Sequence, residues 1–129
     1  MLDASVVLKW FHDEGEPNAD AARALRAAYE EGEALVLAPS LLFLEILDVA
    51  GRRWCLSEKP LLALAGALEG FGFRVHEPPL ERVGRWVARG LTANDAAYVA
   101  LAETAGVKLV TDDALVLEVA GDVAEPLAS

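Results

Sequence analysis

Short apolar runs alternate with stretches of helical periodicity along the chain, and this alternation limits the fold more than any other feature. Leu35-Val36-Leu37-Ala38, Phe73-Arg74-Val75-His76 and Lys108-Leu109-Val110-Thr111 read as strands, with a last one near Asp122 to Glu125. Met1-Leu2 reads as the stub of a first strand, and Ala4 to Trp10 as a short helix or as strand followed by helix. After the break at Gly15-Glu16-Pro17, residues Ala21, Ala22, Leu25, Ala28 and Tyr29 recur at helical spacing up to Gly32. Pro39-Ser40 opens a helix carrying Leu41, Leu44, Glu45 and Asp48 at three- and four-residue steps. Ser57 stands as a cap for a helix from Pro60 to Glu69 that Gly70 ends. Pro78-Pro79 opens another, with Leu80, Val83 and Val87 on one face and Gly90 as its stop. Thr92-Ala-Asn-Asp95 starts a helix that runs to Gly106, and a short helix is expected over about Asp113 to Ala120. Strands that alternate with helices make a parallel sheet covered on both faces, hence an α/β fold. Sites in such folds form outside the carboxyl ends of the strands.

The length of 129 residues fits one domain spanning 1–129. Hydrophobic residues make up 54% but aromatics only 7%, so the core must be mostly Leu, Val and Ala. Cys55 is the sole cysteine, which excludes an internal disulfide and a cysteine zinc cage. No apolar run approaches the roughly 20 residues of a membrane span. Met-Leu-Asp lacks the basic start of a signal peptide, so a cytoplasmic protein is expected. The formal charge of −10 is the wrong sign for gripping nucleic acid over a broad surface. It suits cation binding or a basic partner, and any nucleic-acid contact must be local.

Four carboxylates occupy unusual places. Asp3 would lie at the end of the first strand, where a solvated residue or a helix N-cap is the plain alternative. Glu45 interrupts the run Leu41 to Leu47 and is flanked by apolar residues on nearly every helical face, so it either emerges at a rim or faces a polar cavity. Asp48 shares its face three residues on. Asp95 follows Thr92 with the spacing of a capping box, with Asp in place of the usual Glu or Gln. Asp112 and Asp113 follow a strand and precede a helix, where either an N-cap or a metal ligand fits. Three of the four acids fall at junctions that a parallel sheet places along one edge. A shared divalent ion is the most economical account of them.

Four blocks carry a resemblance: Asp3-Ala-Ser-Val-Val-Leu-Lys-Trp, Pro39-Ser-Leu-Leu-Phe-Leu-Glu45, Leu91-Thr-Ala-Asn-Asp95-Ala-Ala-Tyr-Val-Ala-Leu-Ala, and Leu109-Val-Thr-x-Asp113. In this order the chain resembles the PIN-domain nucleases, in particular the small VapC-type toxins of toxin–antitoxin pairs. The resemblance implies a three-layer α/β/α sandwich with a short, mostly parallel central sheet. It also implies a metal-dependent endoribonuclease, with one or two Mg²⁺ or Mn²⁺ ions held by Asp3, Glu45, Asp95 and Asp113. Ser5 and Thr111 match hydroxyl positions that support the acids, and Asp48 and Asp112 are further candidates. An RNA substrate, a homodimer and an antitoxin partner are implied as well. Two departures stand out. Only Met1 and Leu2 precede Asp3, where relatives have a longer strand, and Asn94 replaces a residue that is often bulky.

Candidate RNA contacts are Lys9, Arg52, Arg53 and the stripe Arg82, Arg85 and Arg89, for which a solvated helix face is the plain reading. Trp10, Trp54 and Trp86 suit the core or an interface, and the helix with Leu61, Leu62, Leu64 and Leu68 suggests an interface. A PIN nuclease that processes RNA without an antitoxin, and a PIN-like binding module that no longer cleaves, are the competing functions. Asp3-Ala-Ser lacks the Asp-x-Asp of dehalogenase-like phosphatases, and Lys108 precedes its strand where a receiver domain places lysine after one.

Overall fold

The computed structural model describes residues 1, 6–7, 10, 19–32 and 36–127. Asp3, Ser5, Lys9 and His12 lie outside the described residues, so the expectations placed on them do too. The described chain runs α1 (Ala19–Glu30), β1 (Leu37–Ala38), α2 (Leu41–Arg52), α3 (Glu58–Gly70), β2 (Arg74–Val75), α4 (Leu80–Ala88), α5 (Ala93–Ala105), β3 (Leu109–Thr111), α6 (Ala114–Val119) and β4 (Ala124–Pro126). Val6, Val7 and Trp10, ahead of α1, are helical and buried.

Among the described residues, all strand pairing is parallel. β1 pairs with β2 (Leu37 opposite Arg74) and β3 with β4 (Leu109 opposite Ala124). On its other side β3 is met by Met1. The Met1 amine donates to the Lys108 carbonyl at 3.1 Å, and the Met1 carbonyl accepts from the Val110 N–H at 2.7 Å. That alternation is the bonding of a parallel ladder opposite Leu109. Met1, the first residue of the strand stub expected there, thus lies beside β3, and Leu2 is outside the described residues. The α/β fold with short parallel strands is the one expected from the alternation of the sequence.

α5 is the central helix. Its seven residues Ala96 to Ala102 are all buried. Four of these are alanines, which let neighbouring elements approach closely. Both ends are fixed locally. Thr92 Oγ1 accepts from the Asp95 N–H at 3.1 Å, the capping bond expected from Thr92-x-x-Asp95. Gly106 takes the left-handed conformation at φ 70°, and the Val107 N–H reaches back to the Ala102 carbonyl at 3.0 Å. α2 turns Leu42, Ile46 and Ala50 into the core at four-residue steps, while Leu44 is 69% exposed.

The expected apolar face of α4 packs only in part. Leu80 and Val87 are exposed, Val83 is half-buried, and Trp86 fills the contact instead. The large indole removes more apolar surface than either aliphatic residue could. Its Nε1 points toward Glu103 Oε1 of α5 at 3.4 Å, and Arg82 Nη1 donates to the same oxygen at 3.0 Å. Of the leucines on α3, Leu64 and Leu68 are buried and Leu61 is half-buried, which leaves only Leu62 projecting into solvent. Ser57 precedes α3 as its N-cap residue, with no side-chain capping bond. Trp10, as expected, is a core residue, set among Tyr29, Phe71 and Phe73 with ring centroids about 6 Å away.

Candidate active site

The acids are placed by backbone chemistry. Asp113 follows β3 and caps α6: its Oδ1 accepts from the Val116 N–H at 3.1 Å. Behind it, Thr111 is fully buried, and its Oγ1 accepts from the Asp113 N–H at 3.0 Å. Thr111 thus fixes the turn that presents Asp113. A Thr111→Val substitution keeps the shape and leaves the Asp113 N–H without this acceptor. It should cost about 1–3 kcal/mol in urea unfolding, and an unchanged midpoint would show that the bond does not hold the turn.

Asp95 stands in the first turn of α5, half-buried. Burial pushes its carboxyl above the ordinary 3.8, the negative charge of Asp113 pushes it further, and the hydrogen bond with Thr92 works the other way. Two acids distant in sequence, one in the first turn of α5 and one capping α6, therefore share an electrostatic neighbourhood. Glu45 is half-buried on α2, at the border between the buried line Leu42-Ile46-Ala50 and the exposed line Leu44-Asp48-Arg52. Of the two placements expected for it, a rim or a polar cavity, half-burial at this border is a rim position. Its Oε1 accepts from the Tyr98 hydroxyl at 2.6 Å. Tyr98 is 2% exposed and lies one helical turn beyond Asp95 on α5.

Tyr98, which is not among the candidates drawn from the sequence, bonds one of them. A signal was present: in Asp95-x-x-Tyr98 the phenol shares a helix face with the carboxylate. A Tyr within an Ala-rich buried helix also needs a partner for its hydroxyl. The structure thus joins Asp113 to Asp95 by charge, and α5, which carries Asp95, to Glu45 by the Tyr98 hydroxyl. Among the described residues, no group of three or more His, Cys, Asp or Glu side chains is gathered closely enough to hold an ion. Asp3 lies outside them. The donor set itself fits a hard divalent cation: every donor is a carboxylate oxygen, and the mutual repulsion of Asp95 and Asp113 is what a cation relieves.

The other candidates are placed differently. Asp48 forms an exposed ion pair with Arg52 at 2.8 Å. Asp112 is half-buried beside Asp113. Arg53 is exposed at the end of α2. The stripe on α4 is largely engaged within the fold. Arg82 pairs with Glu103 at 3.0 Å, Arg85 with Glu81 at 3.1 Å, and the Arg89 guanidinium sits 4.6 Å from the Trp86 ring centre.

An α/β fold with parallel strands, and with Asp95 and Asp113 at the starts of two helices, matches the PIN domain family model over residues 1–122. The chain belongs to the PIN domain family, a nuclease-type fold whose members typically use divalent metals. Among solved structures it is similar to PAE2754 from Pyrobaculum aerophilum, with 28% identity and a TM-score of 0.65, over 98% of this chain and 88% of that one. No curated protein matches it significantly. No helix among the described residues is long and apolar enough to cross a membrane.

Proposed function

We propose that the protein is a metal-dependent endoribonuclease and the toxin component of a VapBC-type pair. The observation that carries the reading is the Asp95–Asp113 pair. Burial and a second carboxylate make the charge on Asp95 costly, and the family to which the chain belongs typically offsets such a cost with a divalent ion. Asp3, Glu45, Asp95 and Asp113 would hold one or two Mg²⁺ or Mn²⁺ ions, with Ser5 and Thr111 in support. When bound, the ion activates water and neutralises charge on the scissile phosphate. The chain contributes the placement: Thr92 fixes the first turn of α5, Thr111 fixes the turn bearing Asp113, and Tyr98 holds Glu45.

The net charge of −10 calls for focused contact with RNA, because the carboxylates repel the backbone wherever no cation intervenes. It also suits a partner rich in basic residues, as an antitoxin segment would be. We place a homodimer in the same reading, with exposed apolar side chains such as Leu44 and Leu62 available for contact. The test is cleavage of a single-stranded RNA by the purified protein, first in EDTA and then with Mn²⁺ restored. Cleavage confined to the Mn²⁺ reaction is expected. Intact RNA in both would remove the enzymatic reading and leave a binding module.

A further inference from the structure

We infer that Tyr98 is a positioning residue of the metal site, acting through Glu45. The inference rests on the metal reading above and deepens it. Its basis is the contact between the Tyr98 hydroxyl and Glu45 Oε1 at 2.6 Å, within the range of a short, charge-assisted O–H···O⁻ bond. The phenol is fixed on both sides. Its ring is 2% exposed, held in the buried stretch Ala96 to Ala102 of α5, so the hydroxyl has little freedom to leave. The carboxylate it holds is half-buried at the border of α2, where a flexible Glu side chain would otherwise sample several rotamers.

The arrangement has a geometric consequence. α5 supplies one acid directly, Asp95 in its first turn, and orients a second, Glu45 of α2, through a donor one turn further along. One rigid helix with a capped start thereby sets two carboxylates from different elements. Tyr98 fixes the carboxylate of Glu45 through one of its oxygens. Partners that orient a ligating carboxylate in this way typically account for 10- to 100-fold in metal affinity. Glu45 and Tyr98 each make further interactions besides this bond.

The test is calorimetric titration of Mn²⁺ into four metal-free proteins: wild type, Tyr98→Phe, Glu45→Gln and the double variant. Phenylalanine keeps the ring that packs α5, and near-UV circular dichroism of each protein reports whether that packing persists. Tyr98→Phe is expected to weaken Mn²⁺ binding 10- to 100-fold in the wild-type background. In the Glu45→Gln background it should change the affinity less than about twofold, because the residue acts only through that carboxylate. A merely structural role would weaken both backgrounds alike, and that result, or equal affinity of wild type and Tyr98→Phe, overturns the inference alone. Failure of the wild type to bind Mn²⁺ overturns the metal reading and this inference together.

Discussion

Asp95→Asn should lower metal-dependent RNA cleavage by about 100-fold or more while raising the melting temperature of the metal-free protein. The two halves have one origin. Loss of an outer partner of a metal ligand typically costs 10- to 100-fold, so loss of a ligand itself costs at least that much. The stability half follows from proton linkage. The carboxyl of Asp95 is raised above 3.8 in the folded protein, so the native state holds its proton more tightly than the unfolded chain does. The folded state is therefore favoured at low pH. It loses that advantage as pH rises from near 3.8 through the higher folded value, and at neutral pH the full penalty is present. Asn carries no charge and escapes it. The helix dipole opposes this gain by about 0.3–1 kcal/mol, because a negative charge at a helix start is favourable. A modest rise is expected at pH 7, and it should vanish below the ordinary Asp range. Thermal melts of both proteins in EDTA from pH 3 to pH 8 measure it. A variant less stable than wild type at pH 7 would mean that the capping charge outweighs burial and the repulsion from Asp113 together.

Ile46→Ala should destabilise the protein by about 2–5 kcal/mol, the usual cost of cutting a buried Ile back to Ala. Ile46 is fully buried, with Leu42 one turn before it and Ala50 one turn after. Removal of its side chain leaves a cavity under the helix that carries Glu45. A loss of this size corresponds to a fall in melting temperature on the order of 10 °C for a domain of this length. Leu44→Ala is the control, because Leu44 is 69% exposed and its truncation should stay within about 0.5 kcal/mol. Similar losses for the two would mean that α2 packs on a different face. The pair answers the question that the run Leu41 to Leu47 leaves open, namely which of its apolar residues are core.

That question also shows where the sequence stops being legible. Strand and helix order followed from periodicity, because each element carries its own turn and cap signals. Thr92, Asp113 and Gly106 act at element ends through bonds to near neighbours, so spacing alone revealed the first two as candidates and the third as a stop. The faces of helices were harder. On α4, the aliphatic spacing of Leu80, Val83 and Val87 suggested the packing face, but Trp86 and the Glu103 carboxylate on a helix distant in sequence decided it. Tyr98 was hidden for the same reason: its partner, Glu45, is 53 residues away. The basic stripe is visible in sequence as three arginines, yet two of them meet carboxylates and the third lies over an indole. Local chemistry is written locally, whereas pairing across elements depends on the fold.

The central claim is that acids from separate elements form one divalent-metal site. The most direct measurement is a crystal of the protein soaked in Mn²⁺, with anomalous scattering used to locate the metal. A strong anomalous peak is expected, bounded by carboxylate oxygens of Asp3, Glu45, Asp95 and Asp113. A saturating soak with no peak among these four residues, or with Mn²⁺ only elsewhere on the surface, would contradict it.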